Sequence, residues 1–238
     1  MGSPRYRADQ WAHRYDPHIE PINRLVDGLG THDHAGCPPY VAPMYRGVDA
    51  PAMAILRDPG PKAGGVAGSG FLSIENDDQT AERQFAFFAG AGIDAADVLP
   101  WNAYPWYINR KPTRTQLTAG IEPLRHLIDL LPSLRVVLLF GADAHAAWRL
   151  FLARHGDLAR RRSLQALRTY HPSRQALQHP SLAERERREE HIRSTLTTAA
   201  AVIGLSSFLR PSPPTLRGEE APPRPSQAGS GPRITRKG

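Results

Sequence analysis

Cysteine is nearly absent from this sequence, because Cys37 is its single example among 238 residues. One thiol excludes an internal disulfide, and it excludes a four-cysteine metal or iron–sulfur cluster built by this chain alone. Long apolar runs are lacking too, since none approaches the roughly 20 residues that a helix needs to cross a bilayer. We therefore expect a soluble protein without membrane contact, held together by its core in the reducing cytoplasm.

Lysine is also scarce, with 3 lysines against 27 arginines in a chain of formal net charge +7. A basic chain gains affinity for polyanions by releasing counterions from phosphates, so nucleic acid is a candidate partner. The charge is unevenly distributed, however, because residues 205–238 carry six basic and two acidic side chains. Much of the excess thus lies in a terminal segment, and charge alone leaves the partner open.

The two ends of the chain differ in composition from its middle. Residues 206–238 are rich in Pro, Gly and Ser, and we predict a disordered tail because they bury too little surface to offset their ordering entropy. Residues 1–25 lack the apolar segment of a signal peptide and predict a partly helical extension, with Trp11 and Tyr15 against the body. Residues 26–205 suit one domain, which we expect to be monomeric.

Apolar runs with the character of strands alternate with helical patterns through the body. The predicted strands are 52–56, 97–102, 134–141 and 164–170, and the predicted helices are 78–92, 114–131, 142–155 and 181–203. The run 134-LRVVLLFG-141 is continuously apolar, which is typical of a strand buried in a parallel sheet. The alternation predicts an α/β fold, a three-layer α/β/α sandwich around a mostly parallel sheet.

Three segments of unusual composition follow predicted strands. They are 57-RDPGP-61, 102-NAYPWY-107 and 171-HPSR-174. In an open parallel sheet, ligands bind in the crevice beyond the carboxyl ends of the strands. We therefore expect the three segments to face one pocket.

The order of these motifs resembles the uracil-DNA glycosylase superfamily. That superfamily is an α/β/α fold with an acidic residue before a proline, a phenylalanine after a glycine-rich loop, an asparagine at a strand end and an H-P-S tripeptide. Here the matching residues are Asp58, Phe71, Asn102 and His171. The resemblance implies the superfamily's fold for this chain.

The resemblance covers about residues 50–178, and two further segments belong to it. The stretch 68-GSGFLS-73 resembles the segment that presents the base-stacking phenylalanine, and 109-NRKPT-113 resembles the NRxPT of thermophilic iron–sulfur branches. The family implies a monofunctional glycosylase that flips a base out of single- or double-stranded DNA and hydrolyses its N-glycosidic bond. The base would be uracil or a related deaminated or modified base, and the protein would work at the nucleoid.

The resemblance assigns a role to each matching residue. Phe71 would stack on the base, and the Asn102 amide would match its edge with a donor and an acceptor. His171 would donate a hydrogen bond to the oxygen that gathers charge as the base leaves. Asp58 would activate or position water and stabilise the sugar cation. Structural roles remain open for all four: a core ring, a strand-end turn, a histidine packed before a proline, and a turn aspartate.

Other positions match the family's pattern less closely. Ser173 would bind a phosphate beside the flipped nucleotide. Arg174 and Gln175 stand near the position where the family usually has a leucine that enters the duplex, so they are candidates for that contact. Gly60 replaces the tyrosine that excludes the methyl group of thymine in the uracil-specific branch, which predicts a wider base pocket. With one cysteine the chain departs from the iron–sulfur branches, and we expect no iron and no other cofactor.

Two other functions compete with this interpretation. The segment 32-HDHAGC-37 has residue types that bind zinc, so a metal hydrolase is one alternative. A non-catalytic module that recognises modified or damaged bases in DNA is the other. The aromatic residues Tyr104, Trp106 and Tyr107 also leave two possibilities, a wall for the extruded base or a loop packed on the core.

Overall fold

The structure, a computed structural model, describes residues 1–65 and 67–208. Its strands are β1 (Tyr40–Val41), β2 (Ala52–Leu56), β3 (Phe71–Leu72), β4 (Val98–Asn102), β5 (Val136–Phe140) and β6 (Gln165–Thr169). Its α-helices are α1 (Pro4–Ala12), α2 (Glu20–Leu29), α3 (Pro61–Gly64), α4 (Gln79–Gly90), α5 (Arg114–Ala119), α6 (Ile121–Asp129), α7 (Ala142–Arg161), α8 (Arg174–Leu177) and α9 (Leu182–Phe208). Short 3₁₀ helices lie at Gly47–Asp49 and Ala95–Asp97.

The centre of the fold is a four-stranded parallel sheet with the strand order β4-β2-β5-β6. The side chains of β2 alternate between the two faces of this sheet, as a pleated strand requires. Met53 and Ile55 join the apolar core under α2, α6 and α7, whereas Ala52 and Ala54 join the core under α4 and α9. Helices thus cover both faces, and the predicted three-layer α/β/α sandwich with a parallel sheet is confirmed.

The predicted strands and helices of the body are found, with one difference. The pattern over 114–131 is not one helix but two, α5 and α6, which meet at Gly120. A Cβ on Gly120 would overlap the carbonyl oxygen of Ala103, in the loop after β4. The backbone at residue 120 therefore lies so close to this loop that only glycine fits there. Pro123 lies in the first turn of α6. Backbone N–H groups in a first turn have no partner within the helix, so the missing N–H of proline costs no helical hydrogen bond there.

The N-terminal residues pack closely onto the body. The Trp11 ring of α1 lies 5.0 Å from the Phe71 ring, and its Nε1–H donates to the carbonyl of Ser69 at 3.3 Å. Gly70 has a φ of +81°, and a Cβ there would be 2.5 Å from the Trp11 ring. The end of the glycine-rich loop, at Ser69 and Gly70, is therefore held against α1.

Two domain boundaries were predicted, one near residue 25 and one near residue 205. The predicted boundary between 1–25 and 26–205 falls inside α2, whose residues Ile22 and Val26 are both buried in one core. The predicted tail, 206–238, lies outside the described residues from 209 onward. Over the described part of the chain, no helix combines the length and apolarity that crossing a bilayer requires.

Candidate functional site

A cavity of about 540 Å³ opens where the carboxyl ends of the parallel strands meet. The loops after β2, β4 and β6 contribute its polar wall, and α4 forms the wall across from the sheet. The cavity brings together six of the residues singled out from the sequence, namely Asp58, Gly60, Asn102, His171, Ser173 and Gln175. Each of the three segments that follow strands therefore contributes at least one residue to one pocket, and the second contributes Asn102 alone.

Asp58 follows the central strand, β2, and its side chain is only 2% exposed. The Nε–H of Arg57 donates to its Oδ1 at 2.5 Å. Its Oδ2 is buried and has no hydrogen-bond partner among the described residues. One carboxylate oxygen is thus fixed by an ion pair, and the other remains able to accept from a water or a ligand.

Asn102 is the last residue of the edge strand β4, and it is 4% exposed. Backbone bonds from the N–H of Ala103 to Leu56 and of Tyr104 to Arg57 continue the pairing with β2, which holds Asn102 beside Asp58. The Oδ1 of Asn102 is buried without a partner among the residues that the structure describes. Leaving such an acceptor unpaired costs about 1–3 kcal/mol, so this position favours a ligand that donates to it.

His171 lies in the loop after β6, and its ring has a defined tautomer. Its Nδ1 accepts from the backbone N–H of Ser173 at 3.1 Å, so the proton of the neutral ring is on Nε2. Burial, and then the positive Arg57, lower the pKa of His171 to about 4. The residue is therefore a neutral imidazole at physiological pH that can donate through Nε2.

The residues after His171 form the rim of the cavity. Ser173 caps α8, because its hydroxyl oxygen accepts from the N–H of Ala176 at 3.4 Å, and its hydroxyl proton remains able to donate. Gln175 is exposed and lines the cavity. Arg174 is exposed as well but lies outside the cavity lining.

Gly60 lies at the exposed edge of the cavity, and a Cβ at this position would meet no atom within 4 Å. Its φ of −70° is accessible to any residue type. The space that a larger side chain would occupy is therefore open.

Phe71 does not reach the cavity, and the structure contradicts its predicted role as the stacking ring. Its side chain is 0% exposed and packs against Trp11 and Tyr40, with ring centroids 5.0 and 6.2 Å away. Strand alternation is the physical reason, since Phe71 points into the core while its neighbour Leu72 lines the cavity. The structural alternative, a core ring, is correct for Phe71.

The aromatic residues after Asn102 pack onto the body and do not line the cavity. Tyr104 donates or accepts through its hydroxyl at 2.8 Å from Nδ1 of His32, and Trp106 donates to the carbonyl of Gly30 at 2.9 Å. The His32 ring stacks on Trp106 with centroids 4.5 Å apart. These contacts favour the packed loop over a wall for the base.

The same contacts bear on the zinc alternative. His32 is bound to Tyr104, and Asp33 accepts from the Gln116 amide at 2.6 Å. Across residues 1–65 and 67–208, no group of three His, Cys, Asp or Glu side chains is placed to hold a metal ion. The segment 32–37 thus serves as a packing surface for the loop after β4.

Two kinds of cavity residue were missed from the sequence. Arg57 is one of them, and it forms an ion pair with Asp58. A basic residue directly before an acidic one at a strand end indicates such a pair in the sequence. Gln84 and Phe88 of α4 line the cavity as well, and only their spacing on the helix face toward the sheet marks them in the sequence.

Comparison with known proteins identifies the family. The model of the Uracil DNA glycosylase superfamily matches residues 53–197, which is more than half of the chain and includes every residue discussed for the cavity's polar wall. A search of curated proteins found no match. Proteins of this superfamily act on DNA as glycosylases and serve base excision repair. The match extends from the second residue of β2 into α9, and this chain belongs to the uracil DNA glycosylase superfamily.

Proposed function

We propose that this protein is a monofunctional DNA glycosylase that hydrolyses the N-glycosidic bond of uracil or a related deaminated or modified base. One observation carries the proposal. Asp58, Asn102 and His171 come from the ends of three strand segments into one cavity, and each presents a free acceptor or donor to it. That set matches what base excision requires: a reader of the base, a donor to the leaving base and an acceptor for water.

The reaction follows from these atoms. The base leaves the helix and enters the cavity, where the Asn102 amide pairs with its polar edge. The bond between C1′ of the deoxyribose and the base nitrogen breaks, and the electron pair stays on the base. The Nε2–H of His171 stabilises the charge that gathers on the base oxygen.

Water completes the hydrolysis at the sugar. Asp58 lies buried beside this position, and its unpaired Oδ2 accepts a hydrogen bond from the attacking water. The water oxygen bonds to C1′ and its proton ends on the departing base or the solvent. The carboxylate also stabilises the positive sugar electrostatically, because a low-dielectric site strengthens this interaction. The products are the free base and an abasic site.

The rim residues are the proposed contacts to the DNA backbone. The Ser173 hydroxyl would donate to a phosphate, and Gln175 and Arg174, both exposed, are candidates to fill the gap left by the flipped base. Since a single chain contributes every group named here, a monomer is sufficient. The proposed place of action is the nucleoid in the cytoplasm.

Excision assays test the proposal directly. Labelled single- and double-stranded oligonucleotides carry one U, T opposite G, hypoxanthine, xanthine or 5-hydroxymethylcytosine, and alkaline treatment reveals abasic sites. We expect cleavage at one or more of these bases by the wild type, and a loss of about 100-fold or more in Asp58→Asn and His171→Ala. Asp77→Asn is the matched control, because Asp77 is exposed and lies outside the cavity.

The same assay separates the enzyme from a binding module. Both variants of the enzyme should still shift the DNA in a gel, because phosphate contacts dominate affinity. Folded wild-type protein that shifts the DNA and leaves no abasic site with any base would reject the hydrolase and support the non-catalytic module.

A further inference from the structure

The cavity extends beyond the part that Asp58, Asn102 and His171 line. Pro100 and Val98 also line it, and they lie two and four residues before Asn102 on the same face of β4. Four residues of strand span about 13 Å. The cavity therefore continues along the edge strand, away from the site where the glycosidic bond would lie.

Helix α4 forms the opposite wall of this extension. Ala81, Gln84 and Phe88 all line the cavity, and their spacing of three and four residues places them on one face of the helix. Ala81 leaves space because its side chain is a single methyl group. Ala81 and Phe88 on α4 thus face Val98 and Pro100 on β4 as apolar walls, and Gln84 adds a polar side chain between Ala81 and Phe88.

The Gln84 amide has no structural task in the fold. The residue is 9% exposed and lines the cavity, and its side chain forms no hydrogen bond with another described residue. Asn76, another cavity amide, differs in this respect, since it bonds to Ser69 and to the carbonyl of Phe71. The Gln84 amide thus has no partner in the described part of the chain, and a ligand group in the cavity that pairs with it would be bound selectively.

We propose that the extension lined by Ala81, Gln84, Phe88, Val98 and Pro100 is a subsite for a substituent on the excised base. The inference rests on the proposed glycosylase function and names its substrate class, a base with a polar substituent larger than a methyl group. A pyrimidine presents its position 5 next to the edge that Asn102 would read, so a substituent there is best placed to enter. Phe88 and Val98 cover its carbon atoms, and Gln84 binds its polar end.

The test compares bases that differ only in this substituent. Oligonucleotides of one sequence carry uracil with hydrogen, methyl, hydroxymethyl or aminoallyl at position 5, and a second series carries cytosine with the same groups. We expect kcat/KM of the wild type to be at least as high for hydroxymethyl or aminoallyl as for hydrogen in one of the two series.

Two variants assign the effect to the subsite. Ala81→Leu fills it and should lower kcat/KM for the larger bases about tenfold or more, while the unsubstituted base changes less than about threefold. Gln84→Leu keeps the volume but removes the amide, so it should affect the polar substituents and spare methyl. Glu82→Gln on the exposed side of α4 is the control for both. Thermal unfolding verifies the fold, and the two variants stand independently if one fails to fold.

The possible outcomes are distinct. Excision of unsubstituted uracil or cytosine with rejection of the larger bases overturns the subsite and leaves the glycosylase intact. An equal loss for all bases in both variants also overturns it, because the residues would then support the fold or the reaction in general. Excision of no base overturns the proposed function and the subsite together.

Discussion

The backbone N–H of Ser173 donates to Nδ1 of His171 at 3.1 Å, so the H-P-S turn fixes both the position and the tautomer of the imidazole. The proline between them makes this turn rigid, because its ring restricts the backbone dihedral φ. The donor that the leaving base needs is therefore prepared before any DNA binds.

Stability should depend on pH through His171. Its folded pKa of about 4 lies below the unfolded value of about 6.5, so the unfolded chain takes up the proton first as the pH falls. The free energy of unfolding should therefore fall between pH 6.5 and 4 by roughly 2–4 kcal/mol from this group. Urea unfolding of the wild type and His171→Gln measures it. The variant should lose less stability over the same range, and equal losses would contradict the assignment.

Arg57 should influence the titration of His171. Its positive charge is the second cause, after burial, of the lowered pKa, so Arg57→Gln should raise the pKa of His171. The value should stay below 6.5 because burial remains. NMR titration of the imidazole signals measures the shift, with Arg110→Gln on the exposed loop as control. An unchanged or lower pKa in Arg57→Gln would show that the guanidinium does not act on the ring.

Asn102→Asp should change base preference. The carboxylate accepts but does not donate, so it no longer matches an edge that offers one acceptor and one donor, whereas it suits an exocyclic amine. We expect uracil excision to fall at least about tenfold, with a rise for cytosine relative to uracil. Competition between the two oligonucleotides in one reaction measures the ratio. An unchanged ratio would remove Asn102 from the reading of the base.

Phe71 should matter to stability and not to base stacking. Phe71→Leu keeps an apolar side chain in the core, so we expect about 1–2 kcal/mol of lost unfolding free energy and excision within about threefold of the wild type. Phe71→Ala should cost about 3–5 kcal/mol. Chemical denaturation and excision kinetics at a temperature where both variants are folded separate the two effects. A large loss of excision in a fully folded Phe71→Leu would restore the stacking role.

Gly60→Tyr should narrow the substrate range. The position is open and its backbone conformation accepts any side chain, so the variant should fold. A ring at the cavity edge should reduce excision of 5-substituted bases by about tenfold or more relative to uracil. Gly60→Ala, which adds one methyl group to the same open space, is the control. Equal rates for all bases in Gly60→Tyr would mean that the edge does not contact the substrate.

Local patterns in the sequence predict the elements of this fold well, because strand and helix periodicity are properties of neighbouring residues. The need for glycine at the break, Gly120, was not predictable in this way, since the Ala103 carbonyl that leaves no room for a Cβ is seventeen residues earlier. In the candidate site, too, local patterns predict some features, whereas others depend on residues far away in the sequence. Asp58, Asn102 and His171 are found from strand ends, whereas the orientation of Phe71 depends on Trp11, sixty residues away.

Gln84 illustrates what periodicity leaves undecided. The pattern of α4 marks the face toward the sheet, but a glutamine on that face gives no indication that a cavity lies in front of it. That depends on how far the helix stands from β4, which is set by packing across the whole layer. The polar wall was thus accessible to sequence analysis and the opposite wall was not.

The packing of Trp11 on Gly70 has a consequence for how this protein can be divided or recombined. The family match begins at residue 53, yet the loop at Ser69 and Gly70, just before Phe71, is held by a helix that ends at Ala12. A fragment that starts at residue 53 would leave Phe71 exposed and this loop without its support. Helix α1 and the loop at Ser69 and Gly70 therefore depend on each other for packing. A chimera with a related protein should exchange both segments together.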